Sequence, residues 1–108
     1  MRSITRNELK QMNEVEHSDF VLINVLAPEA FNQQHIRTSV NVPLESTDFP
    51  AEVERIAGSK ERDIVVYCAN FSCDASPKAA KQLEMAGFTH IYDYTGGTQD
   101  WFDAKQSA

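Results

Sequence analysis

The chain has 108 residues, 42% of them hydrophobic, with 16 acidic against 10 basic side chains and a formal charge of −6. That length supports one domain, residues 1–108, with its own core and no need of disulfides or a structural metal; the acidic balance excludes an extended phosphate-binding face, and with it nucleic acid as a partner. No apolar run reaches membrane-span length and "MRSITRNELK" turns polar at once, so neither a membrane segment nor a signal peptide is expected, and a cytoplasmic location is.

Thr5 with Glu8 three residues on has capping-box spacing and predicts a first helix from about Arg6 to about Glu16. "FVLINVL" is a short apolar run of the kind found in strands buried on both faces. Pro28 suits the first turn of a helix over "PEAFNQQH", and "SVNVP" alternates as a short strand that stops at Pro43. Residues 46–58 read as a helix, with Ser46, Thr47 or Asp48 as cap and Gly58 as stop. "DIVVYC" is the next strand. Ser76 followed by Pro77 predicts an N-cap with proline at the first helical position, opening a helix that Gly87 closes. "HIYDY" is a last strand, "TGG" a turn permitted by Gly96 and Gly97, and "TQDWFDA" a terminal helix whose Trp101 packs beneath that turn. Strands alternating with helices argue an α/β domain with a parallel sheet covered on both faces.

Ligands of open parallel sheets bind beyond the carboxyl ends of the strands, which is where Cys68 stands. The segment "ANFSCDA" must curl from strand into helix, so that backbone N–H groups of Ala69, Asn70, Phe71, Ser72, Cys73 and Asp74 point inward and the helix dipole adds its positive end. Such a cradle should lower the pKa of a thiol and hold a persulfide. The alternative is that Cys68 is a small apolar residue buried at a strand end. Two cysteines in a reducing compartment are expected to be free, and C-x4-C is not a common zinc spacing, so no metal and no cofactor are expected.

Four segments together resemble the single-domain rhodanese family, sulfurtransferases that carry sulfane sulfur on a cysteine: "VLINVLAPEAFNQQHI" with Glu29, Phe31, His35 and Ile36, then "VNVP", "VVYC" and "YTGGTQDW". The resemblance implies a central five-stranded parallel sheet flanked by helices, with Cys68 as the persulfide-bearing nucleophile. It also implies a small sulfur donor, thiosulfate or a thiol persulfide, and a thiol or protein acceptor. The chain departs from the family where Asn24 replaces a usual aspartate, Leu26 a frequent arginine, and "RTS" the usual Pro-Gly-Ala. Its loop is about two residues longer and lacks arginine, which removes the obvious group for thiosulfate. Instead Cys73 and Asp74 stand there, so Cys68, Cys73 and Ser76 form a C-x4-C-x-x-S variant, with Asn24 and Ser76 as supporting residues.

The leading reading is sulfur transfer through Cys68. Its alternatives are a dithiol redox protein in which Cys73 resolves an oxidised or persulfidated Cys68, and a catalytically weak module that only binds a partner. Phosphatase chemistry, known on this fold, needs Cys-x5-Arg, and the sixth position here is the anionic Asp74. His35 is expected to be structural, His17 and His90 solvated or packed, and Lys78 and Lys81 part of a solvated face. Phe71 either lines the entrance or anchors the loop.

Overall fold

The computed structural model describes residues 1–15 and 19–106. Five strands, β1 (Arg2–Ile4), β2 (Phe20–Asn24), β3 (Val40–Asn41), β4 (Asp63–Tyr67) and β5 (Ile91–Tyr94), form one sheet in the order β1-β5-β4-β2-β3. Every pairing is parallel. The apolar runs of β2 and β4 are central for a physical reason: flanked on both sides by strands and covered on both faces, they bury consecutive residues rather than alternate ones.

Five helices cover the sheet: α1 (Arg6–Lys10), α2 (Pro28–Gln33), α3 (Phe49–Ala57), α4 (Ala75–Met85) and α5 (Gly97–Gln106). On one face Val53 and Ala57 of α3 and Ala79, Ala80 and Leu83 of α4 pack on Ile23, Ile64, Val66 and Ile91. The other face buries Leu9 of α1 and Trp101 of α5 against Leu22, Val65, Tyr67 and Tyr94. The chain turns back between β2 and β4, so the crevice above those two strands is the topological switch point.

The capping box at Thr5 and Glu8 forms, but regular α-helix ends at Lys10 and gives way to a π-helical segment, Gln11–Val15. The expected end at Glu16, like His17, lies outside the described residues. Asp48 caps α3, and Gly58 ends it at φ 82°. The edge strand β1 has no counterpart among the strands read from periodicity, because three residues with two exposed side chains carry no alternation signal. Thr38, in the "RTS" segment, adopts φ 77°, a conformation that costs a β-branched residue more than glycine.

No helix among the described residues is long and apolar enough to cross a membrane.

Candidate active site

Cys68 follows β4 directly, and the loop 69–74 carries the chain from the middle of the sheet to α4. Asn70 organises that loop. Its carbonyl accepts the Cys73 N–H at 3.1 Å and its Oδ1 accepts the Ser72 N–H at 2.9 Å, so these two expected anion-binding N–H groups are engaged within the turn. From below, the first turn of α5 grips the loop: the Thr98 and Gln99 N–H groups donate to the Cys68 and Ala69 carbonyls at 3.0 and 2.9 Å. Gly97 makes that approach possible, since a Cβ on it would lie 2.4 Å from the Cys68 carbonyl oxygen, and its φ of 66° also favours glycine. Gly96 has no such φ.

The helix begins two residues earlier than Ser76-Pro77 predicts. Asp74 occupies the cap position, which leaves Pro77 in the first turn, where a missing N–H costs nothing. Ser76 is thereby turned from helix cap into site residue: it is 1% exposed, and its Oγ lies 3.5 Å from Cys68 Sγ. Cys68 Sγ is also 3.6 Å from the Cys73 carbonyl oxygen, and both cysteines are free.

The electrostatics differ from the expected lowering at Cys68. Cys68 is 1% exposed; burial pushes its thiol above the ordinary value and the neighbouring Cys73 adds to this, while the Ser76 hydroxyl and N–H pull it only partly back. Cys73 is also raised by desolvation, but the hydrogen bond from Cys68 and the N–H groups of Ala69 and Ala75 outweigh that and hold it low. The N–H groups at the loop's two ends thus serve the second sulfur, because the chain curls around Cys73 while Cys68 stays under it.

The remaining sequence candidates are dispersed. Asn24 is fully buried at the end of β2, where its Oδ1 accepts the Leu26 N–H at 2.9 Å and shapes the turn into α2. Phe71 is 70% exposed, beside a cavity of about 400 Å³ that Arg6, Tyr94, Gly96 and Asp100 also line. Asp74 is exposed and paired with Lys78 at 3.1 Å. His35 stacks on Phe31 with ring centroids 3.9 Å apart, outside the site. A second cavity of about 500 Å³ lies at the switch point among Leu26, Pro28, Leu44 and Ala75. Among the described residues no cluster of three or more potential ligands could hold a metal.

Two residues at the site had no sequence signal. Arg6 is brought from the N-terminus to within 5.5 Å of the Trp101 ring and to the cavity beside Phe71, although no arginine follows Arg62 in the chain. Asp93, on the β5 position next to Val66, is buried with its Oδ1 unpartnered, and burial raises its carboxyl above the ordinary value while the Ser76 hydroxyl lowers it in part. A charged residue in "HIYDY" is a signal only once the strand is known to be covered on both faces.

A family model described as a rhodanese-like domain matches residues 5–104. Thiosulfate sulfurtransferase GlpE of Pseudomonas syringae is 29% identical over 102 residues, covering 94% of this chain and 90% of that protein. Thiosulfate sulfurtransferase PspE of Escherichia coli is 32% identical over 81 residues, 72% of this chain and 70% of that one. The chain spans 66% to 90% of the length of the curated relatives it matches. The crystal structure of the Alr3790 protein from Anabaena superposes with a TM-score of 0.81 at 27% identity, over 94% of this chain and 86% of that one.

Proposed function

We propose that this chain, which belongs to the rhodanese-like domain family, is a sulfurtransferase that holds sulfane sulfur on Cys68 as a persulfide and passes it to a thiol of a small molecule or a protein. The observation that carries the reading is the place of Cys68, at the carboxyl end of the central strand with the Ser76 hydroxyl 3.5 Å from its sulfur and the first turn of α4 above it. The Cys68 thiolate attacks the sulfane sulfur of the donor. The new S–S bond forms as the donor's bond to that sulfur breaks, and the departing group, sulfite from thiosulfate or a thiolate from a thiol persulfide, keeps the electron pair. An acceptor thiolate then attacks the outer sulfur and returns Cys68 as a thiolate. With no guanidinium in the loop, a thiol persulfide suits the site better than dianionic thiosulfate.

A second reading rests on the nearness of the two cysteines, the Cys68 sulfur lying 3.6 Å from the Cys73 carbonyl oxygen. Attack of the low-lying Cys73 thiolate on the inner sulfur of a Cys68 persulfide releases hydrosulfide and leaves a Cys68–Cys73 disulfide, which needs an external thiol to reopen. Two free thiols on one loop suit a reducing compartment, and we assign the protein to the cytoplasm.

Incubation of the reduced protein with thiosulfate, and separately with a small thiol persulfide, followed by intact mass measurement, tests both readings. Gain of one sulfur that is lost in Cys68→Ser and kept in Cys73→Ser is the expected result. Loss of two hydrogens without retained sulfur, abolished in either variant, would favour the dithiol reading instead.

A further inference from the structure

Cys68 lies one residue beyond Tyr67 at the end of β4, and Val25 one beyond Asn24 at the end of β2. Asn24 and Tyr67 are register partners, and the Val25 N–H donates to the Tyr67 carbonyl at 3.1 Å, so the pairing runs on and sets Val25 beside Cys68. In-register neighbours of a sheet share a face, and both side chains are buried in the same core cluster, on the side of α3 and α4. Val25 is also a wall of the cavity of about 500 Å³ at the switch point. Ala75, the first residue after the active loop, is another. The cavity thus ends against a neighbour of Cys68 across the sheet and against the residue that closes its loop. Its volume lies within the range of about 300–1,000 Å³ usual for small-molecule sites.

The lining is chemically one-sided. Val25, Leu26, Pro28, Pro43, Leu44 and Ala75 are apolar, the charged member is the acidic Glu45, and no lysine, arginine or histidine takes part. The polar backbone is engaged as well. The N–H groups of Leu26, Leu44 and Ser46 donate to Asn24 Oδ1, the Val25 carbonyl and the Pro43 carbonyl at 2.9, 3.0 and 3.0 Å, and the two prolines have no N–H. The Ser46 hydroxyl donates to the Pro43 carbonyl at 2.7 Å. The cavity that does hold a guanidinium, that of Arg6, is lined by Ile4 and Tyr94 from the core of the opposite face, away from the Cys68 side chain.

We propose that the switch-point cavity seats the organic group of the sulfur donor, and that the donor is a thiol persulfide whose organic group is uncharged and apolar, an alkyl chain or an aromatic ring. This narrows the substrate of the sulfur-transfer reading, on which it rests. With the organic group R in the cavity, the Cys68 thiolate attacks the outer sulfur of R–S–S–H. The bond from Cys68 to that sulfur forms as the bond between the two donor sulfurs breaks, and R–S⁻ leaves with the electron pair. Seating R removes apolar surface from water. The thiosulfate dianion, or the carboxylate of a cysteine persulfide, would lose hydration there and meet a like charge in Glu45.

The test presents methyl, propyl and pentyl hydropersulfide, below saturation, to the reduced wild-type protein and follows the initial rate of sulfur gain by intact mass, with Cys68→Ser as the blank. Each methylene buried is worth about fourfold, so the rate should rise about fifteenfold at each two-carbon step. Thiosulfate and cysteine persulfide should react more slowly than the pentyl donor. Leu26→Arg and Leu44→Asp each put a charge into the cavity and should flatten the series. The pentyl-to-methyl ratio is internal to each protein, so it does not depend on how much of a variant is folded. Pentanethiol, which carries no sulfane sulfur, should shift the methyl resonances of Val25, Leu26 and Leu44 in the wild-type protein, and cysteine should not. Equal rates for the three chain lengths, a slope unchanged in both variants, or methyl groups unmoved by pentanethiol would overturn the inference. Two outcomes separate it from the reading beneath it: methyl shifts with no sulfur gained from any donor refute the transferase reading alone, and sulfur gained at chain-independent rates without shifts refutes the apolar selection alone.

Discussion

Replacing Gly97 with alanine should detach the active loop from the helix that holds it. The residue sits at φ 66°, which costs an alanine about 1–2 kcal/mol. Its Cβ would also stand 2.4 Å from the Cys68 carbonyl oxygen, 2.7 Å from the Ala69 carbonyl carbon and 2.9 Å from the Asn70 nitrogen. All three are backbone atoms that cannot rotate away. Relief requires the loop to move off α5, which breaks the 3.0 Å and 2.9 Å bonds from Thr98 and Gln99, at about 1 kcal/mol each. The total is about 3–4 kcal/mol. Gly58 supplies the internal control, because it has φ 82° but nothing within 4 Å of its Cβ, so Gly58→Ala should cost only the backbone share of about 1–2 kcal/mol. Urea unfolding of the two variants, compared by midpoint at constant slope, reads the difference. Equal midpoint shifts would refute the claim that α5 and the catalytic loop are locked together at this contact.

Thr38→Gly should stabilise the fold by up to about 1 kcal/mol in the same assay, because it relieves a β-branched residue at φ 77° against the entropy glycine adds to the unfolded chain; destabilisation would show that Thr38 is held there by contacts worth more than its strain. Cys73→Ala should move the alkylation profile of Cys68 to lower pH, since Cys73 is one of the groups that raise the Cys68 thiol; a move to higher pH would contradict that coupling. The stability advantage of Asp93→Asn over wild type should grow as pH rises above about 3.8, the ordinary carboxyl value. Burial holds the folded Asp93 above that value, so between the two pKa values the native state binds more protons than the unfolded chain and wild-type stability falls with pH. Parallel stability curves from pH 3 to 8 would mean that Asp93 ionises as freely in the fold as outside it.

The sequence by itself determined the parallel α/β architecture, because parallel strands buried on both faces are continuous apolar runs, and β2 and β4 are such runs apart from Asn24 at the end of one and Asp63 at the start of the other. It also placed Cys68 at the mouth of the sheet, since that position follows from where "DIVVYC" ends. The capping box at Thr5, the Asp48 cap and the Gly58 stop were legible for the same reason: each is a local interaction among residues a few positions apart. What only the tertiary structure decided depends on contacts between distant segments. The edge strand β1 exists because β5 offers it partners, Gly97 is required because the Cys68 carbonyl crosses it, and Ser76 lies inside the helix rather than at its cap, with its hydroxyl on Cys68. Which sulfur the loop favours was decided there as well. Desolvation depends on what lies above and below an atom, and the fold puts Cys68 beneath the loop while wrapping the backbone N–H groups of Ala69 and Ala75 around Cys73.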